Sequence, residues 1–446
     1  MHTDIESNIP IENNNDADEI TWVKEITDGK QPKAPLYVGI AAGLGALFWL
    51  GPFMGLNSVL NPAKLSHIIG SGSAVNNFLA LLGTLGAITS TITTIIIGAL
   101  SDLTRSRWGR RTPWMLAGSV LTAAVIFFLG RINDSSHLTM FIVLWCLLQT
   151  FINFIVAPLI AAIADKTAPK HRGVISSIYA AGFILGEYGG PVVGGYFLSA
   201  SNPSLIDMGY NVMAIFMLIS GPIAAVILRE KSSLCMPKQK KLDWEFFVKY
   251  FIFPIKGSRD FYLALFGKMM ICITITAFSV YQLFFLTSGM SLNETVSGKY
   301  ISLMGIATII TAFIFSPISG PIADKLKTRK KPVVLSAILI AIGTILPYFY
   351  AEPTSMIWYG IISGIGSGIF FSVDQALNLE VLPNNENAAK DLGILNLANT
   401  GAQILGPVLG AVLFEMFGHH YLSILPSLAA ISLFGGILVM MIKSVK

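Results

Sequence analysis

The sequence predicts an all-α membrane protein: twelve transmembrane helices arranged as two pseudo-symmetric six-helix halves. Three observations predict it. The 446 residues are 53% hydrophobic and 12% charged, with a mean hydropathy of +0.67, whereas soluble domains carry about twice that charged fraction. Twelve mostly apolar stretches each approach the roughly 20 residues that cross a bilayer core. Lys and Arg collect on one side of the resulting zigzag, and a motif of the first half recurs in the second.

In chain order the spans begin near Leu36, Ala74, Thr112, Leu138, Arg172, Met208, Arg259, Val296, Pro332, Thr354, Ala388 and Tyr421. An even number puts both termini on one side. Of the 30 Lys and Arg, all but Lys64, Arg131, Lys299 and the intramembrane Lys268 fall in the termini and the even-numbered loops. That bias marks the cytoplasmic side, so both termini are expected there, in a multi-pass protein of the plasma membrane. Residues 1–33 are polar, Asn-rich and acidic, without an apolar core or cleavage pattern, and read as a disordered cytoplasmic tail rather than a signal peptide. The longest loop, 229–258, separates an N-terminal half (34–228) from a C-terminal half (259–446). Within it, 242–251 mixes aromatics with charges and is expected to lie along the inner membrane face.

The most informative segment is the loop after the second span. It carries Gly98, Asp102, Arg105, Arg107, Gly109, Arg110, Arg111 and Pro113 between two apolar stretches. Asp102 at a helix end can pair with these Arg side chains and brace the cytoplasmic face, while the glycine allows close helix approach. The plainer alternative is that the arginines only fix topology. The second half answers with Gly320-Pro-Ile-Ala-Asp324-Lys and a basic cluster from Lys327 to Lys331. Likewise Gly186-Glu-Tyr-Gly-Gly-Pro191-Val-Val-Gly-Gly195 is answered by Gly406-Pro407-Val-Leu-Gly410. Repeated halves of this kind place a substrate site at mid-membrane between them.

The basic loop resembles the one between helices 2 and 3 of major facilitator transporters. Its late Arg cluster is similar to the branch that holds glycoside-pentoside-hexuronide:cation symporters and sucrose carriers. Ala164-Asp165-Lys-Thr-Ala-Pro169-Lys-His-Arg172-Gly173 resembles the helix 4 to 5 junction of sucrose carriers, which puts Asp165 and Arg172 with the gating residues. Tyr281-Gln-Leu-Phe-Phe-Leu286 and Asp391-Leu-Gly-Ile-Leu-Asn396-Leu-Ala-Asn399 are similar to segments of bacterial relatives. The resemblance implies the major facilitator fold, with helices 1, 4, 7 and 10 lining the cavity. One departure stands out. Plant sucrose symporters carry an Asp in helix 4 as a proton-binding group, and the position that aligns with it here is Gln149, which cannot titrate.

Glu187 is the candidate replacement, because it lies roughly 22 Å into the fifth span from Arg172, near the bilayer centre. An ionisable group there is functional by default, its alternative being a structural bond to a neighbouring helix. Lys268 and Asp374 each lie about 14 Å from the cytoplasmic ends of their helices, so that an ion pair is possible; snorkelling by the lysine is the alternative. Asp374 thus joins Glu187 as a coupling candidate and Lys268 joins the substrate-binding set. Sugar hydroxyls need directional donors, acceptors and aromatic faces. Asn57, Gln149, Asn153, Tyr179, Tyr281, Gln282, Asn396 and Asn399 could supply them, although each alone is more often an interhelical hydrogen bond.

Other functions find no support. The Gly-Lys pairs do not continue into a phosphate-binding loop, and no nucleophile elbow or Ser-His-Asp set appears. No enzyme activity, cofactor, metal or nucleic-acid partner is expected. Cys146, Cys235 and Cys272 form no framework, and no histidine has ligand spacing. The reading is a secondary active carrier, expected as a monomer in the lipid bilayer, that imports a saccharide with a proton or sodium ion. Proton-coupled efflux of drugs or other small amphipaths is the alternative, because the Gly-Pro run of helix 5 also looks like a pattern of drug:proton antiporters.

Overall fold

The computed structural model describes residues 31–199, 202, 204–234, 258–325, 328–381 and 388–443. Among them are twelve long helices: α1 (Leu36–Ile69), α2 (Ser73–Leu103), α3 (Thr112–Leu129), α4 (Leu138–Lys166), α5 (Arg172–Tyr196) and α6 (Ser204–Leu228), then α7 (Arg259–Gly289), α8 (Glu294–Lys325), α9 (Lys330–Phe349), α10 (Thr354–Glu380), α11 (Ala388–Met416) and α12 (Leu425–Met440). The helix starts lie within a turn or so of those expected from hydropathy. Eleven of the helices are long and apolar enough to cross a membrane. The exception is α5, which spends its length on glycines, Arg172 and Glu187. The stretch at 242–251 lies outside the described residues. The tail expected to be disordered through residue 33 is described from Gln31. That side chain donates to Lys166 O (3.1 Å) and accepts from Ala168 N (2.8 Å), which docks the chain on the α4–α5 junction.

The repeat seen in the sequence governs the packing. In the first half α1 packs on α5 and α6, α3 on α4 and α6, and α2 on α4. Adding six to each number gives the second half: α7 on α11 and α12, α9 on α10 and α12, α8 on α10. The seams between halves obey the same symmetry, since α2 meets α11 and α8 meets α5. Both leading helices also contain a π turn, Leu56–Leu60 in α1 and Phe285–Gly289 in α7. Such turns leave a helix locally wide and often mark functional positions.

Small residues set the closest approaches. A Cβ on Gly182 of α5 would lie 2.0 Å from Gly43 O of α1, and one on Gly190 2.0 Å from Gly51 O. The same face of α5 carries Gly186 and Gly194 against α1, while Gly195 turns to α8, where its Cβ would lie 2.6 Å from Gly298 O. In the second half Gly410 of α11 makes room for the Tyr281 ring of α7. The Gly-Pro runs of α5 and α11 are therefore helix-packing surfaces. Isoleucine, leucine, valine and phenylalanine cover the outward faces, as in Ile92, Val143, Ile215, Ile310 and Phe434.

Candidate functional site

The loop between α2 and α3 lies on what we term the basic face; the opposite side is the far face. At the end of α2, Asp102 pairs with Arg111. Arg111 is buried, and it also reaches Asp165 at the end of α4 (3.1 Å), to which Arg110 donates at 2.6 Å. Glu230, just past α6, accepts from the backbone N–H groups of Arg111 (2.9 Å) and Thr112 (2.8 Å). A carboxylate on the free N–H groups of α3 offsets both their lost hydrogen bonds and the positive end of the helix dipole. Gly109 adopts φ +95°, open to glycine at little cost, and a Cβ there would strike Glu230. Nothing in the sequence marked Glu230, because its partner lies 118 residues away along the chain.

The cluster therefore ties α2, α3, α4 and α6 within one half, rather than bracing the two halves against each other. Arg105 reaches Leu234 O, and Arg107 and Arg172 are exposed. Gly98 has open space where its Cβ would stand, so the close helix approach expected there is absent. The side chains of Asp324 and Asn396 lie outside the described residues. In the second half Arg329 at the start of α9 meets Glu380 at the end of α10 (3.2 Å), an equivalent tie.

Near mid-membrane, Lys268 of α7 donates to Asp374 of α10 at 2.6 Å, with both side chains about 5% exposed. The carboxylate also accepts from Asn378 Nδ2 (2.9 Å), one turn along α10. One turn along α7 from Lys268, Cys272 donates to Asn399 of α11 (3.4 Å). Glu187 of α5 is half-buried and lies within electrostatic range of Cys272, so the two halves bring their ionisable groups toward one region. No hydrogen bond or ion pair to Glu187 is present among the described residues. Below it, Phe183 meets Phe371 of α10 edge to face across the halves at 6.1 Å, with Tyr179 beside Phe183.

The polar candidates divide by environment. Asn153 is buried and fully engaged: it donates to Ser90 (2.9 Å) and to Gln149 O (2.8 Å), and it accepts from Thr94 (2.6 Å). Gln149 is buried against Gly86. Tyr281 is fully buried with its hydroxyl donating to Pro407 O (2.7 Å), the interhelical role. Gln282 donates to Ser58 O across the halves (3.4 Å), and Asn57 stands beside that contact in the α1 π turn. Tyr179, Glu187 and Asn399 retain partial exposure on the inner faces.

Among the described residues, hydrogen bonds between halves gather toward the far face. Besides Gln282, Ser302 of α8 donates to Val192 O (2.8 Å), Tyr421 to Asn76 (3.1 Å), and His67 bonds Glu294 at 2.5 Å. Toward the basic face, α4 and α10 do not pack extensively on each other. The bundle is thus held shut at one end. Lys64, a basic residue on the wrong side by the topology rule, is buried there and fully satisfied, donating to Gly130 O (2.8 Å), Asn133 (2.7 Å) and Asp207 (2.6 Å).

A twofold-repeated bundle with charged groups at its centre and a seam closed at one end defines a membrane carrier. The sequence pattern of the Major Facilitator Superfamily matches residues 36–288 and 264–445, and the chain belongs to that superfamily. It is a secondary transporter rather than an enzyme. The chain is 30% identical over 143 residues to the inner membrane metabolite transport protein YgcS of Escherichia coli (32% of this chain, 29% of the relative). It is 31% identical over 93 residues to the lactose permease of Leuconostoc lactis (19% and 14%). Over 36 residues it is 61% identical to the uncharacterized symporter sll1374 of Synechocystis (8% and 7%). These matches span less than a third of each relative. Among solved structures, the peptide transporter POT superposes with a TM-score of 0.67 at 14% identity, covering 91% of this chain and 94% of that one. The human organic anion transporter MFSD10 gives 0.62 at 16% identity, covering 91% and 100%. At such identities the likeness is one of fold.

Proposed function

We propose that the protein imports a saccharide or glycoside in symport with a proton, working by alternating access with its basic face toward the cytoplasm. The observation that carries this reading is the convergence of Glu187 with the Lys268–Asp374 pair between the halves. A carboxylate at mid-membrane without a described cation partner is costly to charge unless water or a partner reaches it, so its proton can follow the opening and closing of the cavity, which a coupling group requires. Gln149, buried and unable to titrate, leaves that task to Glu187. The Lys268–Asp374 pair is satisfied in the present state and would be exchanged for substrate contacts or rearranged on switching. The inner-face Tyr179, Phe183, Phe371 and Asn399 offer ring faces and an amide to a polyol.

The saccharide reading draws support from the resemblance of the basic loop to sugar symporters and from the partial matches to a lactose permease and an uncharacterized symporter. Drug efflux loses its particular support, since the Gly-Pro run of α5 is accounted for by packing on α1 and α8. Cytoplasmic termini follow from the charge bias. Uptake of a labelled saccharide panel into proteoliposomes, with an imposed proton or sodium gradient, tests the proposal. Accumulation of at least one saccharide driven by an inward proton gradient is expected. No gradient-driven accumulation of any saccharide, or acidification of the interior during substrate exit, would replace it with the efflux reading.

A further inference from the structure

We propose that the His67–Glu294 pair is a proton-binding latch that holds the far face closed. His67 lies in the last turn of α1 and Glu294 in the first turn of α8, so the pair joins the two halves. The contact is 2.5 Å, with the side chains 35% and 18% exposed, so far-face water reaches the imidazole. The second oxygen of Glu294, Oε2, is buried without a hydrogen-bond partner. A buried carboxylate oxygen without a donor is costly, and this carboxylate therefore leans on His67 and on the dipole of α8. Among the described residues the charged groups acting on His67 are Glu294 and Lys64, and Lys64 is itself neutralised by Asp207 of α6.

The chemistry gives the latch a sign. Protonated imidazole makes a charge-assisted bond to the carboxylate, about twice as strong as a neutral one. When the far face opens, α1 and α8 separate with their halves, and His67 returns to water, where its ordinary pKa is about 6.5. The closed state therefore binds the proton more tightly than the open one, and by linkage a proton supplied from the far side favours closure. Raising the pH through the titration range of His67, which its hydrogen bond to Glu294 lifts above the ordinary imidazole value, removes the charge and loosens the seam. Because His67 keeps its access to far-face water in the closed state, its proton biases the cycle and is not itself the one carried across. This holds whether or not the substrate is a saccharide.

The test places spin labels at Ser71→Cys and Lys299→Cys, exposed far-face positions on opposite halves, in a chain whose three native cysteines are replaced by serine. Distances are read in lipid nanodiscs without substrate between pH 5.5 and pH 8. The far-open population should rise about fivefold toward the alkaline end, the change expected for a partly exposed pair. His67→Gln and Glu294→Gln should flatten that dependence, while His67→Lys, which keeps its charge, should stay closed throughout. A wild-type distribution unmoved by pH would overturn the latch, as would a pH response that survives in His67→Gln or a His67→Lys chain that opens on alkalinisation.

Discussion

Replacing Lys268 by methionine strands the Asp374 carboxylate in a region where it is about 5% exposed. Its remaining described donor is Asn378 at 2.9 Å. Breaking a buried pair by removing one partner costs about 3–5 kcal/mol, whereas removing both is often close to neutral. The Asn378 bond holds part of the carboxylate's charge, so Lys268→Met should fall at the lower end, near 3 kcal/mol. Asp374→Asn should cost about as much, since it leaves an ammonium with no described carboxylate. The double replacement should then cost only about 1–2 kcal/mol, giving a coupling energy of about 4–5 kcal/mol. Thermal unfolding of the purified protein in detergent, followed by tryptophan fluorescence, measures all four corners of the cycle. Single and double losses that add to within about 0.5 kcal/mol would show that the pair is not energetically coupled, and the site would then have to be rebuilt around Glu187 alone.

Glu187→Gln should abolish proton-driven accumulation while sparing substrate exchange, and adding Gln149→Asp should restore some accumulation; an unchanged pH dependence of uptake in Glu187→Gln would count against the coupling role. On the basic face, Asp102→Asn should slow transport with a stability loss below about 1 kcal/mol, because Arg111 keeps Asp165. Asp165→Asn should cost more, since it releases both Arg110 and Arg111, and equal unfolding temperatures for the two variants would contradict this ranking. Gly182→Ala should destabilise by several kcal/mol because its Cβ would stand 2.0 Å from Gly43 O, whereas Gly189→Ala, in open space, should be silent. Thermal scans of the two variants decide it.

The helix inventory was legible because lipid forces each crossing to be long, apolar and internally hydrogen-bonded, and those demands are written locally in the chain. The Lys268–Asp374 pair was legible for a related reason. Two opposite charges at one depth in hydrocarbon have few options besides each other. Glu230 and the His67–Glu294 contact were hidden, because nothing local says which helix ends will meet after folding. For Asn153, Tyr281 and Gln282 the sequence favoured a bond to a neighbouring helix over a ligand contact but named no partner, and the packing spends their polar atoms on Ser90, Pro407 and Ser58. The glycines of α5 were visible as a run. Their partners on α1 were not, since 2.0 Å approaches depend on the relative rotation of the two helices.

The glycine seam between α1 and α5 has a practical use. With backbone set against backbone at Gly43 and Gly51, neither helix can slide past the other without a clash, so the two must travel as one piece while the halves rock. Glu187 rides on that piece. A pair of probes placed on α1 and α5 will therefore read a constant separation throughout the cycle, giving the molecule an internal ruler against which its opening can be calibrated.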